Sequence, residues 1–172
     1  MGKSGDKVVI VDENDIPIEV KLYENMRYED IYRVSALWLT DTSTGSVLMA
    51  QRTWTKRNNP GQWTCAVAGT IEEGETYDSN IVKEIGEEIG LTGLSLTTGP
   101  KQFVDDGTHK YFCQWYFAST DKDSAVLTPE EGAVEELRWF VPQELIADVD
   151  SNPDKYTPTA METFKFLGVG EH

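Results

Sequence analysis

The sequence predicts a single mixed α+β domain over residues 1–172, and three features predict it. Short runs rich in β-branched and aromatic residues alternate with turn signals through the N-terminal part of the chain. A helical repeat of apolar residues begins after Gly74. Strand-like runs then return, and two helical segments close the chain. At 172 residues the chain can bury a core of its own, and 39% hydrophobic with 10% aromatic residues argues against a disordered polymer.

Val8 to Val11 reads as a strand ended by the polar turn Asp12-Glu13-Asn14-Asp15. Ile31 to Leu39 and Gly45 to Arg52 read as two strands joined through Thr40 to Thr44. The breaker Asn58-Asn59-Pro60-Gly61 precedes an extended run from Gln62 to Ile71. Beyond Gly74, Ile81, Val82, Ile85 and Ile89 recur near the helical period, and Gly90 stops that helix. Leu94 to Thr98, Lys110 to Ser119 and Val134 to Val141 are further strands, with Asp105-Asp106-Gly107 a turn. Pro142 opens a helix running to Val149, and Thr159 to Leu167 forms a last helix packed by Met161, Phe164 and Phe166. No repeat or composition shift marks a linker.

The formal net charge is −15. Such a field repels phosphate backbones and anionic lipid, which argues against a nucleic-acid polymer or a membrane surface as partner. It also makes a cation a natural companion for any phosphate-bearing small molecule. Cys65 and Cys113 stand far apart in no paired spacing, so neither a disulfide framework nor a zinc site is expected, and a reducing cytoplasm suits them. No run is apolar enough for a secretion signal or a bilayer span. A soluble cytoplasmic protein, monomer or homodimer, is the expectation.

The chemistry concentrates in Lys83-Glu84-Ile85-Gly86-Glu87-Glu88-Ile89-Gly90. On a helix Glu84, Glu87 and Glu88 share one face, while Ile81, Ile85 and Ile89 form a neighbouring stripe for burial. Three close carboxylates repel one another, by about 0.2–0.5 kcal/mol for each such pair. A hard divalent cation would explain them, because Mg²⁺ takes oxygen ligands and shares them with substrate phosphates. The competing reading is a solvated acidic face, which is what such a cluster alone would usually be.

The frame around that cluster tips the balance. Gly69, five residues, Glu75, seven residues, then Lys83 through Leu91 resembles the Nudix box, GX5EX7REUXEEXGU, with U a bulky aliphatic. Every specified position in residues 69–91 matches except Lys83, where that family usually carries Arg. The resemblance implies an α/β/α sandwich with a central mixed β sheet and a pyrophosphohydrolase. It implies that Glu84, Glu87 and Glu88, helped by the carbonyl of Gly69, hold Mg²⁺, with Mn²⁺ a possible substitute. The same three glutamates would be catalytic. Glu75 and Lys83 would brace the loop on the helix, less firmly than Arg does.

A second resemblance lies upstream. Gln51-Arg52-Thr53-Trp54-Thr55-Lys56-Arg57 followed by Asn59-Pro60-Gly61-Gln62-Trp63 looks like the branch of the superfamily that includes isopentenyl-diphosphate isomerase. There Arg52 and Lys56 would hold a diphosphate; otherwise they are surface charges ending a strand. Trp54 and Trp63 read as packing residues. The isomerase's catalytic Cys and metal-binding His would fall at Ala68 and Thr70, and its upstream histidine near Tyr32. Cys65 is three residues early, which on a strand points its side chain to the opposite face.

Three functions therefore stand in order: a Mg²⁺-dependent hydrolase of a nucleoside diphosphate linked to another moiety, an isomerase of allylic diphosphates, and a non-catalytic ligand-binding module. His109 reads as a solvated loop residue, and His172 carries no argument. One of Glu130, Glu131, Glu135 and Glu136 is a candidate for an extra carboxylate, without a way to choose among them. Neither Pro100 nor Tyr111 stands where substrate-specific members of the family carry a proline or a tyrosine, so the substrate stays open.

Overall fold

The structure, a computed structural model, describes residues 5–56 and 58–167. Arg57 and His172 lie outside them. In chain order the strands are β1 (Lys7–Val11), β2 (Pro17–Leu22), β3 (Ile31–Asp41), β4 (Val47–Arg52), β5 (Trp63–Cys65), β6 (Val67–Thr70), β7 (Thr97–Asp105), β8 (Lys110–Thr120) and β9 (Val134–Phe140). The helices are α1 (Tyr77–Ile89), α2 (Pro142–Ser151) and α3 (Pro158–Phe166).

Strand β3 is the spine of a mixed sheet. It runs parallel to β8 from Ile31↔Lys110 to Asp41↔Thr120, and antiparallel to β6 from Val34↔Thr70 to Leu37↔Val67. Near Asp41 it meets β4, and β4 in turn pairs with β5 and β9. The sheet thus opens into two wings, and the chain crosses between them at Ala66.

Strand alternation assigns the two faces. Leu37 and Leu39 of β3 pack with Tyr116 and Ala118 of β8 under Ile81, Ile85 and Ile89 of α1. Tyr32, Val34, Ala36 and Trp38 point the other way, with Tyr111, Cys113 and Trp115 beside them. Helices α2 and α3 cover part of that second face through Leu145, Ala160 and Phe164. The arrangement is the α/β/α sandwich.

Helix α1 is built as its sequence suggests. Thr76 caps it reciprocally with Ser79, and Gly90 leaves it at φ 73°, a left-handed turn that favours glycine. Val82 departs from expectation: it is 62% exposed, one position off the isoleucine stripe. Phe166 likewise faces solvent, leaving Phe164 and Met161 to pack α3.

The strand expected at Leu94–Thr98 is displaced. Leu94 and Leu96 are drawn into the packing under α1, and the strand runs from Thr97 instead. Its ladder slips between Thr98 and Lys101, where Pro100 has no N–H to offer, and the Gln114 amide donates to the Gly99 carbonyl at 2.8 Å. Strand β2 has no counterpart in the sequence reading. Its hairpin with β1 is pinned at Asp15, which takes Arg33 Nε at 2.6 Å and Lys101 Nζ at 2.5 Å.

Candidate active site

The four-residue rise of α1 places Asn80, Glu84 and Glu88 in one line facing β6. Asn80 is fully buried, accepts from Ser35 Oγ at 2.6 Å, and donates to the Thr70 carbonyl at 3.1 Å and Glu75 Oε2 at 2.8 Å. Glu84 lies flat on Gly69. A Cβ built there would fall 2.2 Å from the Glu84 Cγ, so only glycine lets the helix carboxylate approach this strand. Glu88 accepts the Ala68 N–H at 2.9 Å, on the edge of β6 that faces away from β3.

Burial raises the pKa of both carboxylates. For Glu84 the nearby charges of Glu87 and Glu75 add to it. Glu88 is pushed well above the ordinary carboxylate range by burial, with Glu84 and Glu130 reinforcing the shift. Glu87 is exposed and, among the described residues, has no hydrogen-bond or ion-pair partner.

The loop before α1 is held by Lys83. Its ammonium meets Glu75 Oε1 at 2.7 Å and Glu72 Oε1 at 3.0 Å, while Glu75 Oε2 also accepts the Glu72 N–H at 3.0 Å. Burial disfavours ionisation of Glu75, but Lys83, the Glu72 N–H and Asn80 together hold its pKa below the usual value.

On the opposite wing, Arg52 ends β4 and donates from Nη2 to the Asn58 carbonyl at 3.0 Å. That bond ties the guanidinium to a loop with left-handed backbone at Asn59 and Gly61. Arg52 and Lys56 line a cavity of about 140 Å³ that also reaches Gly69, Thr70 and Glu88. The remainder is mostly apolar, with Tyr32, Trp38, Tyr111 and Trp115 on the sheet and Phe164 on α3, interspersed with Gln102 and the threonines Thr64, Thr157 and Thr163. Trp63 packs as expected, at 7% exposure under Arg138, whereas Trp54 is 68% exposed over Gly61.

The profile of the NUDIX domain family matches residues 31–160, which spans both wings and α1. The chain belongs to the Nudix family. It is similar to an uncharacterised Nudix hydrolase of Pseudomonas aeruginosa, 25% identical over 155 residues that cover 90% of this chain and 89% of that protein. It is also similar to an isopentenyl-diphosphate Delta-isomerase of Kocuria rhizophila, 29% identical over 161 residues and covering 89% and 87% of the two chains. The crystal structure of DR0079 from Deinococcus radiodurans superposes with a TM-score of 0.73 at 22% identity, covering 86% of this chain and 90% of that one. With its Nudix box, the protein is a Nudix hydrolase.

The Nudix box residues are not all in one place. Gly69, Glu84 and Glu88 converge on β6, Arg52 and Lys56 face the same cavity, and Glu87 stands outside at the surface. Among the described residues no three carboxylate, imidazole or thiol groups close on a single point as a finished metal cage. The donor set nevertheless fits a hard divalent ion, as hydrolases of this family generally use. Two half-buried carboxylates beside a strand carbonyl offer only oxygen, and a cation would offset the burial that raises both, as well as the smaller repulsion from neighbouring glutamates.

Cys65 corrects the sequence reading. The extended run breaks at Ala66, so alternation restarts in β6, and Cys65 and Ala68 face the same cavity. Its thiol is pushed up to about 12 by burial and by the charge of Glu88. His109 is not freely solvated, since its ring packs edge-on against Tyr32 with centroids 6.3 Å apart. Of the four downstream glutamates, Glu130 is the one whose charge reaches Glu88, and Glu136 is paired with Arg138 at 2.7 Å. Asn80 was missed altogether. Its signal was there, a polar residue set four and eight positions before Glu84 and Glu88 on the strand-facing side of the helix.

Proposed function

We propose that this protein is a Mg²⁺-dependent pyrophosphohydrolase that cleaves a nucleoside diphosphate linked to another moiety, with water attacking phosphorus. One observation carries the reading. The half-buried Glu88, Gly69 and the cationic Arg52 and Lys56 line one cavity, and Glu84 rests against Gly69.

Glu84, Glu88 and the Gly69 carbonyl, with Glu87 swinging in from the surface, would hold the metal. When bound, it would polarise the phosphoryl group and acidify a water. Arg52 and Lys56 neutralise the diphosphate oxygens. Glu88, made more basic by burial, is suited to take the proton of the attacking water, with Glu84 the alternative. The apolar chamber receives the part of the substrate away from the diphosphate. Typical ligand pockets span about 300–1,000 Å³, so a chamber of this size takes a small group or one end of a larger one.

The isomerase reading has a relative in its favour, but Ala68 and Thr70 leave it without its catalytic Cys and its metal-binding His. A binding module without catalysis would not need an intact box. The test is a panel of nucleotide and prenyl diphosphates, assayed with Mg²⁺, with Mn²⁺ and with chelator. Wild type is compared with Glu84→Gln, Glu87→Gln and Glu88→Gln. Loss of hydrolysis in the variants is expected. Equal rates in all four proteins would overturn the assignment, and conversion of isopentenyl to dimethylallyl diphosphate would favour the isomerase.

A further inference from the structure

The edge strand β2 carries an apolar stripe on an open margin of the sheet. Val20 is 43% exposed, Leu22 38% and Ile18 61%. Among the described residues β2 pairs on one side only, with β1. The stripe is presented rigidly, because Asp15 at the hairpin turn is bound by Arg33, Lys101 and Tyr77 from three other elements.

The hydrogen-bonding phase of β2 follows from the end of its ladder, where the Tyr23 N–H donates to the Asp6 carbonyl at 2.9 Å. Main-chain groups point inward and outward at alternate residues of an antiparallel strand. Those of Lys21 and Glu19 therefore turn toward β1, and those of Val20 and Leu22 turn to the open edge. The outward main-chain groups and the exposed apolar side chains belong to the same residues.

We propose that β2 is a homodimer interface, in which two copies pair β2 against β2, antiparallel, about a twofold axis through Val20. In that register Val20 meets its twin, and Ile18 meets Leu22 of the other copy. Glu19 meets Lys21 of the other copy, twice. Antiparallel pairing opposes only residues of like phase, so few symmetric registers exist. An axis through Glu19 sets that carboxylate against its own twin and Lys21 against Pro17, and one through Lys21 sets two ammonium groups face to face. One through Ile18 sets Glu19 against Pro17, and one through Leu22 sets Lys21 against Tyr23 and Val20 against Glu24. Only the axis through Val20 matches apolar to apolar and acid to base at every position.

That complementarity argues for a second copy as the occupant. The segment Ile18-Glu19-Val20-Lys21-Leu22 read backwards exchanges acid for base and keeps its apolar positions, which is what an isologous twofold contact requires. Within one copy Lys21 meets Asp30 at 2.6 Å and Glu19 at 3.0 Å, and the Glu19 side chain is still 50% exposed, so across the twofold axis each Glu19 would share its carboxylate between its own Lys21 and that of the other copy. The ladder slips by one residue between Ile10 and Val11, which leaves Ile18 as an extra residue. Such a bulge bends the strand end and blunts open-ended pairing, so association closes at two copies. A net charge of −15 on each copy opposes the contact at long range, so the dimer is expected to form at high concentration.

The test is sedimentation velocity over a concentration series, with amide hydrogen exchange of the same samples. Wild type is expected to double its mass as concentration rises, and exchange at Val20 and Leu22 to slow in parallel. Val20→Lys, which sets two ammonium groups face to face on the axis, and Glu19→Lys, which opposes Lys21, are expected to weaken association by about tenfold or more. Both should melt as wild type does. A monomer at every concentration overturns the proposal. So does a dimer whose Val20 and Leu22 amides exchange as fast as in the monomer, and this holds even if neither variant folds.

Discussion

Glu84 lies on the backbone of Gly69 so closely that a Cβ there would sit 2.2 Å from the Glu84 Cγ and 2.5 Å from its Oε1. The glycine of the box is thus a steric requirement of a helix carboxylate from the same box. Gly69→Ala forces Glu84 to another rotamer, an overpacking cost of about 1–3 kcal/mol. The expected outcome is a lower melting temperature and, if Glu84 serves the proposed hydrolysis, a loss of metal-dependent rate of at least about tenfold, or about 1.4 kcal/mol in the barrier. Thermal melts and steady-state rates on the same preparation check both. Wild-type rate and stability together would mean that Glu84 need not rest on the strand.

Asn80 is the polar centre beneath that contact. Asn80→Ala removes the acceptor of the Ser35 hydroxyl and a donor from each of the Thr70 carbonyl and Glu75. A buried group stripped of its hydrogen bond costs about 1–3 kcal/mol. The expected loss is at the upper end of that range, because three buried or half-buried groups lose a hydrogen bond at once. Urea titrations of wild type and variant measure it, and Asn80→Asp should recover none of it at neutral pH, because a carboxylate there would face the Thr70 carbonyl and Glu75, both acceptors.

Lys83 makes a prediction about pH. The folded pKa of Glu75 is depressed, so its contribution to stability is present above its unfolded value and is lost as pH falls through the folded one. Lys83→Met removes the ammonium from Glu75 and Glu72. Stability at neutral pH should fall by about 1 kcal/mol, as befits a partly exposed ion pair network. The acid limb of the stability profile should flatten below the ordinary glutamate pKa, where wild type still gains from the pair. Lys83→Arg is expected to restore both. A profile unchanged by Lys83→Met would show that Glu75 is held by Asn80 and the Glu72 N–H alone.

The parts of this molecule that the sequence made legible are those where one signal dominates. The isoleucine stripe and Gly90 define α1, and the box spacing places Gly69 beside it, because local periodicity and fixed backbone geometry decide such features. Strand β2 was invisible because its alternation mixes Pro17, Glu19 and Lys21 with exposed apolar residues, and no core face marks it. The start of β7 was hidden by Gly99 and Pro100, whose place in the ladder depends on a side-chain amide from Gln114 on the next strand. Cys65 was put on the wrong face because one break at Ala66 shifts the phase of all that follows. In the candidate site, charge and spacing mark Glu84, Glu87 and Glu88 in the sequence, whereas Asn80 acts through contacts that exist only once helix and sheet are packed.

Cys65 offers a direct probe of how dry the cavity is. Burial, and secondarily the charge of Glu88, push its thiol up to about 12. Alkylating reagents attack the thiolate, so the fraction able to react at neutral pH is about a thousandfold below that of an unperturbed thiol. Iodoacetamide should therefore leave Cys65 almost unmodified in the folded protein. The labelling rate should climb about tenfold for each unit of pH below the thiol's own pKa, and become fast in denaturant. Cys113, raised by burial as well, should follow the same course. Glu88→Gln removes the smaller cause and keeps the larger, so it should speed labelling of Cys65 only severalfold. Peptide mass spectrometry after timed quenching resolves the two sites. Rapid labelling at neutral pH would mean that water reaches the thiol, and the chamber could then not serve an apolar group.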